Sequence, residues 1–317
     1  MNETLAVRVS GLRYEAENVI SVEPIPLDDV LLPPFDAGAH ITLCLPDGLR
    51  RPYSILSSPR ERRRYVVAVL ASLESRGGSR FIHESLRCGS ILHIGTPKNH
   101  FSLRQHDGET VLIAGGIGIT PILCMYRELR EHSNAARLLY LGRRKSSAAF
   151  MDVISEIGGS VDLYFDDEHE GNTLPLHSYL NQFDADTRFY CSGPSAMLSS
   201  FTDACTELEF AHHYIERFRS DDSGGKDELS AFTVRLVRSN CELTVPSDRS
   251  ILEVIENAGV DVNHSCRQGI CGACETTVVA GLPDHRDQIL TMAEREVNRI
   301  MMICVSRSLK PVISLDL

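Results

Sequence analysis

Four thiols in this chain have a spacing that could do chemistry. Cys266, Cys271 and Cys274 follow the pattern C-x4-C-x2-C, and Cys304 stands apart downstream. Thiolates are soft ligands, so a set of four suits zinc or an iron–sulfur cluster. Structural zinc usually draws on two close Cys pairs, whereas here one loop supplies three ligands. The spacing matches the plant-type [2Fe–2S] pattern, which is preferred over zinc. Gly269 and Gly272 let the loop SCRQGICGAC fold tightly, so backbone N–H groups can point at sulfur and tune a reduction potential. The loop has few carboxylates, which suits a site already rich in negative charge.

A second group of residues is suited to phosphate. Arg51-Pro52-Tyr53-Ser54 follows a strand pattern, and Arg76-Gly77-Gly78-Ser79 comes later and leads into the helical stretch RFIHESLR. Alone the tetrapeptide is a weak signal, because an Arg beside a Tyr is more often a solvated strand end. The pairing strengthens it. An Arg fork matches a phosphate bidentately, and a Gly-Gly-Ser turn at a helix start offers free N–H groups.

A third group is suited to a dinucleotide. Gly115-Gly116-Ile117-Gly118-Ile119-Thr120-Pro121 lies between an apolar strand and a helix, with Thr120 placed as an N-cap and Pro121 as the first helical residue. As a fingerprint it is imperfect, since proline replaces the third glycine and no acid follows at the usual distance. A plain strand–helix turn accounts for it equally well on its own. A companion segment, Tyr190-Cys191-Ser192-Gly193-Pro194, ends a later strand pattern. Arg143-Arg144-Lys145 could attract a 2′-phosphate, while Asp166-Asp167 at the next strand end favours a free ribose.

The elements around these groups divide the chain of 317 residues into three expected domains with a linker. Residues 1–103 read as short strands with turn punctuation, such as 40–48 and 65–72, which fits a small antiparallel β-barrel. Residues 104–222 alternate strand and helix (110–116, 121–132, 136–142, 187–193, 194–208), the rhythm of a Rossmann-like α/β sheet. The run Arg219–Glu228, ten residues with no apolar side chain, is a linker signature, with the linker set at 223–229, and 230–317 open with two strands and a helix ahead of the cysteine loop. Net charge is −11, and most of it falls in 104–229, where 11 basic face 21 acidic side chains. That balance argues against a nucleic-acid binder. The first twenty residues hold no apolar core of signal-peptide length. The uncharged run Thr110–Tyr126 is too short and too rich in Gly for a membrane span. A cytoplasmic protein is expected, with Cys44, Cys88, Cys124, Cys191, Cys205 and Cys241 as ordinary thiols.

The last ninety residues resemble a plant-type ferredoxin domain, including Gly281-Leu-Pro-Asp-His-Arg-Asp287 and Cys304-Val-Ser-Arg307. With two other domains ahead of it, the whole chain resembles the phthalate dioxygenase reductase and vanillate demethylase reductase family. The resemblance implies a β-barrel flavin domain, an NAD domain and a C-terminal β-grasp ferredoxin. It places Arg51, Arg76, Gly77, Gly78 and Ser79 at the flavin phosphate, with Pro52 and Tyr53 flanking the flavin and Ser54 near its reactive edge. Val69, Leu70 and Ala71 would line the flavin through backbone atoms. Thr120 and Phe218 join this set, with Glu216 beside Phe218 matching a segment that closes over the flavin. Ser54 and Thr120 are the candidates for contact with reacting atoms. Gly116, Gly118, Pro121, Arg143, Asp166, Cys191, Ser192, Gly193 and Pro194 would hold NADH. Relatives usually have Cys where Ser192 stands, which puts the detailed role of that residue in question.

The implied cofactors are FMN rather than FAD, NADH rather than NADPH, and a [2Fe–2S] cluster held by Cys266, Cys271, Cys274 and Cys304. The implied activity is an oxygenase reductase that passes hydride from NADH to FMN and single electrons through the cluster to a Rieske-type non-haem iron oxygenase. The chain is expected to work as a monomer, and the scattered histidines, His100 and His212-His213 among them, offer no metal site or triad. Two alternatives use the same residues: a flavin and iron–sulfur redox sensor without rapid NADH turnover, and a zinc-stabilised dehydrogenase.

Overall fold

The computed structural model describes residues 4–72, 75, 77–105, 107–132, 135–218 and 230–317. The expected linker at 223–229 and Arg76 lie outside the described residues. The chain divides into two compact units, Met1–Arg217 and Phe218–Leu317.

The first unit begins with six antiparallel strands. These are β1 (Thr4–Ala16), β2 (Val19–Pro26), β3 (His40–Cys44), β4 (Arg50–Ser54), β5 (Val67–Leu70) and β6 (Ile91–Gly95), in the order β4-β3-β6-β1-β2-β5. Along β1 the buried Val7 and Val9 alternate with exposed Arg8 and Ser10, the two-residue period of a sheet with one face on the core. Asn18, in the left-handed region at φ 64°, turns β1 tightly into β2. A bridge between Ile55 and Val67 links the two outer ends of the sheet and gives it the barrel form. The short helix α1 (Gly78–Glu84) follows β5.

The same unit continues as a parallel sheet of β7 (Thr110–Gly115), β8 (Ala136–Gly142), β9 (Ser160–Phe165), β10 (Arg188–Ser192) and β11 (His213–Glu216). Helices α2 (Ile119–Glu131), α3 (Met151–Ile157), α4 (Leu176–Leu180) and α5 (Ser195–Glu207) connect and cover it. All six residues of β7 are buried, as expected for a central strand covered on both faces. Leu112 and Ala114 share a core with α2 and the barrel, whereas Val111 and Ile113 face Leu198, Phe201 and Cys205 of α5. Barrel and parallel sheet therefore have one continuous apolar core. Polar ties reinforce it: Arg127 Nη1 donates to Leu56 O at 2.9 Å, and the Cys124 thiol donates to Ser57 O at 3.3 Å. The strand order is β11-β10-β7-β8-β9, so the connections reverse direction between β7 and β10. In open parallel sheets that reversal opens a crevice at the carboxyl ends of the two strands.

The second unit contains β12 (Phe232–Leu236), β13 (Cys241–Val245), α6 (Ile251–Asn257), β14 (Glu275–Ala280), β15 (Pro283–Asp284), α7 (Met292–Val297), β16 (Ile300–Met302), β17 (Arg307–Ser308) and β18 (Val312–Leu315). Its sheet runs β13-β12-β18-β14-β16, with the parallel pair β12–β18 at the centre. This is the β-grasp arrangement of a ferredoxin. Ser250 caps α6 reciprocally with Glu253, and Thr291 caps α7 with Glu294 in the same way. Among the described residues no helix is long and apolar enough to cross a membrane.

One buried cation fastens the second unit. Arg307 donates to Arg249 O at 2.8 Å, to Pro246 O at 3.0 Å and to Ser230 O at 3.1 Å, and lies over the Phe232 ring. Its guanidinium thus satisfies three separate loop carbonyls. Arg307→Met should destabilise this unit by on the order of 3 kcal/mol, because the buried carbonyls lose a charged donor. Chemical denaturation followed by circular dichroism checks it; a loss below about 1 kcal/mol, the scale of a surface change, would show that the three bonds are replaceable.

Candidate functional site

The four candidate ligand cysteines are all buried, on the loop before β14 and just after β16. The loop leads Cys266 back onto Cys271, with the Cys266 N–H donating to Cys271 Sγ at 3.4 Å and the Gln268 N–H to Cys266 Sγ at 3.3 Å. Cys304 comes against Cys266 and Cys274, so residues far apart in sequence form one group of sulfurs. Hydrogen bonds from Cys271 and Cys304, with the Gln268 and Ile270 backbone, hold the Cys266 thiol well below the ordinary thiol range. The thiols close on one another, and among the described residues no three His, Cys, Asp or Glu side chains are set around a single ion. Four buried thiols with N–H groups already aimed at sulfur fit a [2Fe–2S] cluster.

In the first unit the phosphate-type residues also meet. A Cβ built on Gly78 would lie 2.7 Å from Arg51 Cγ and 3.0 Å from its Nε, so the Arg51 side chain runs directly over the glycine turn. Pro52 and Tyr53 are half-buried beside it on β4, and burial raises the Tyr53 phenol to about 12. Ser79 Oγ donates to Ser75 Oγ at 2.9 Å, which keeps this turn compact. Val69, Leu70 and Ala71 are less uniform than expected. His83 Nε2 is 2.9 Å from Val69 O, and the Ala71 N–H donates to Asn18 O at 2.8 Å. Leu70 between them is exposed.

The dinucleotide-type residues interlock at the reversal between β7 and β10. A Cβ on Gly118 would collide with the Ser192 carbonyl and reach Gly193 N at 2.8 Å, so only glycine permits this approach. Gly116, at φ 54°, faces open space on the other side of the turn. Thr120 is not the N-cap. The turn Gly116–Gly118 winds straight into α2, Gly118 takes the cap position, and Thr120 Oγ1 donates to Ile117 O at 3.1 Å. Pro121 accordingly falls inside the first turn. Cys191 points into the core with Cys205, where burial pushes its thiol well up. Arg143 is exposed, and its carbonyl accepts from the Asp167 N–H beside the half-buried Asp166.

One residue binds these two groups into one site. Glu216 on β11 is the register partner of Ser192 on β10, and its carboxyl accepts a hydrogen bond from Ser54 at the end of β4. The other oxygen, Oε2, is sealed from solvent without a partner among the described residues, as is Ser192 Oγ. Burial lifts the Glu216 carboxyl to about 8, with the Ser54 bond opposing the rise. An alternating strand with an acid near its end reads as a surface Glu. The only signal was the adjacent aromatic segment, and Phe218 itself begins the second unit.

Comparisons with known proteins agree with this arrangement. The 2Fe-2S iron-sulfur cluster binding domain family matches residues 234–309. Vanillate O-demethylase oxidoreductase of Pseudomonas sp. (strain HR199 / DSM 7063) is 37% identical, covering 99% of this chain and all of that protein. The structure of phthalate dioxygenase reductase, described as modular for electron transfer from pyridine nucleotides to [2Fe-2S], is 34% identical with a TM-score of 0.73 over 99% of this chain and 98% of its own. The chain belongs to this family of oxygenase reductases. It is a flavin and [2Fe–2S] oxidoreductase of that kind. An intact type IV self-sufficient cytochrome P450 monooxygenase superposes with a TM-score of 0.89 at 34% identity over 99% of this chain, which spans only 41% of that longer protein.

The Glu216 carboxyl makes stability depend on pH in a defined direction. Its folded value near 8 exceeds the ordinary 4.5, so below 4.5 it is neutral in folded and unfolded chains alike. As pH rises towards 8 the unfolded chain ionises first, and wild-type stability falls. Glu216→Gln should therefore gain on wild type from about pH 5 to about pH 8 and run parallel above that. Denaturation midpoints across this range check it; a constant difference would mean the carboxyl is ionised throughout.

Proposed function

We propose that this chain is the NADH-dependent reductase of a multicomponent Rieske-type oxygenase, with FMN as its flavin. The observation that supports it most is the Ser54–Glu216 bond. It joins the end of the R-P-Y-S strand to the strand beside Ser192, so flavin-type and nucleotide-type residues meet in one place. In addition β5, whose end bears Leu70, lies against the Gly116–Gly118 turn.

When bound, a flavin supplies the exchange of one hydride for two single electrons, and a [2Fe–2S] cluster carries those electrons singly. The residues of this chain supply placement. Arg51 and the Gly77–Ser79 turn take the flavin phosphate, with Arg76 completing that set. Pro52, Tyr53, Leu70 and Ala71 bound the ring, and Ser54 and Thr120 lie at its reactive edge. Gly116, Gly118, Gly193 and Pro194 let a diphosphate approach the backbone at the reversal, with Pro121 shaping the turn and Cys191 contributing main chain only. Ser192 takes the nicotinamide position that relatives fill with Cys. Its hydroxyl and the protonated Glu216 carboxyl offer neutral donors in a dry site, so hydride can move without a buried charge opposing it.

The preference for NADH has its own support. Of the basic run, Arg144 Nη2 pairs with Glu17 at 3.0 Å and Lys145 Nζ with Glu168 at 3.4 Å. That leaves Arg143 beside the acidic Asp166, a poor setting for a 2′-phosphate. The partner oxygenase is supported by relatives named as reductase subunits of oxygenase systems, and its substrate would belong to the oxygenase.

The absorbance spectrum of the purified protein, with acid-released flavin identified, tests both cofactors together. FMN and the visible bands of an iron–sulfur centre are expected; zinc with no such bands would overturn the cluster. kcat/KM should favour NADH, and a tenfold preference for NADPH would refute that choice. Cys271→Ser should abolish reduction of cytochrome c yet leave NADH-dependent ferricyanide reduction within about twofold, since ferricyanide draws on the flavin alone. Loss of both activities would contradict separate roles for the two units.

A further inference from the structure

The cysteine loop of the second unit rests on a charge pair made of a buried acid, Asp287, and a partly exposed base, Arg295. Asp287 has no exposed side-chain surface. Its Oδ2 accepts from the Leu290 N–H at 2.8 Å and the Ile289 N–H at 3.2 Å, which fixes the carboxylate rigidly. Arg295 of α7 approaches that same oxygen at 3.7 Å and also donates to the Asp287 carbonyl. His285 Nδ1 is 3.8 Å from Asp287 Oδ1, and His285 Nε2 is held by Asn298 Oδ1 at 3.3 Å.

This group bears directly on the loop between Cys266 and Cys271. The Gln288 N–H donates to Gly269 O at 3.0 Å. A Cβ on Gly269, which has φ 68°, would lie 3.1 Å from Asp287 Cα and 2.6 Å from a methyl of Val305, the neighbour of Cys304. The loop is thus clamped between Asp287 and the segment carrying the fourth cysteine. No larger residue fits there.

We propose that Asp287 and Arg295 are positioning residues for the [2Fe–2S] cluster: an oriented pair behind the Gly269 turn that fixes the loop and sets the cluster's reduction potential. The physical reason is charge. Reduction adds one electron to a centre that is already anionic, and a fixed charge nearby biases that step, with less screening for the buried Asp287 than for the partly exposed Arg295. Asp287 disfavours the added electron and Arg295 favours it. With both present their effects oppose each other, and each substitution alone exposes the other. The proposal rests on the cluster assignment, and iron and sulfide content tests that separately.

The test uses the full chain in redox titrations followed by electron paramagnetic resonance. Asp287→Asn should raise the cluster potential, Arg295→Gln should lower it, and the double variant should return towards wild type. All should retain stoichiometric iron and sulfide. A role confined to folding would lower cluster content or thermal stability without shifts of opposite sign. Shifts in the same direction, or none in either variant, would overturn the proposal. Where Asp287→Asn fails to fold, Arg295→Gln decides alone: a lower potential with a full cluster supports the pair, and an unchanged or raised one refutes it. Wild-type protein without iron or sulfide would instead overturn the cluster assignment.

Discussion

The first unit depends on a contact that only backbone can make. Gly118 lies so close to the Ser192 carbonyl that no side chain fits between them. That approach brings the end of β7 against the end of β10 where the sheet reverses. Everything that shapes the crevice follows from it: the position at which α2 begins, the open space beside Gly116, and the place of Ser192 beside Glu216. Because α2 also shares its core with the barrel, the turn cannot shift without disturbing β5 and the tie between Arg127 and Leu56. A soft, two-body hinge would not hold such a crevice to tenths of an ångström; a continuous packed core does.

The second unit meets the same requirement by other means. Its cluster loop has little regular structure and little apolar surface of its own, since Cys266, Cys271 and Ala273 form only a small buried group. Rigidity comes from polar anchors instead: Arg307 on three carbonyls, Asp287 on two N–H groups, and capping boxes at the starts of α6 and α7. Sulfur ligands need N–H groups at fixed angles, and a loop that supplies them cannot also spend those groups on a strand ladder. Anchoring it from behind leaves the inward N–H groups free for sulfur.

Much of this was legible in the sequence, and the parts that were not share a cause. The cysteine spacing, the Gly-rich turn and the strand–helix rhythm after Thr110 are local patterns, and the structure follows them closely. The strands 110–116, 136–142 and 187–193 each end within a residue or so of their expected limits. Thr120 misled because the usual N-cap signal was outweighed by a glycine turn that already had helical geometry at Gly118. Cys191 shows a different limit of local reading: in a strand buried on both faces, neighbours point to opposite layers, so its side chain enters the core beside Cys205 while Ser192 faces the other way. Glu216 and Asp287 were the least visible. Each looks like an ordinary acid at an element's edge, and its burial is created by residues far away in the chain, Ser54 for one and the Gly269 turn for the other.

Those two acids show how the same side-chain type serves opposite electrostatic ends. Among the described residues no cation contributes to the shift of Glu216, so burial is resolved by holding the proton, and the carboxyl becomes a neutral donor. Asp287 is buried too, but it has Arg295 and His285 facing it and two N–H groups capping one oxygen. A neutral acid suits a site where a negatively charged hydride must cross, because no fixed charge then opposes its passage. A charged pair suits the surroundings of a metal centre, where a fixed field can bias a one-electron equilibrium without taking part in it. The division of the chain into two compact units thus coincides with a division of electrostatic strategy, and the composition, in which acids are simply in excess, conceals it.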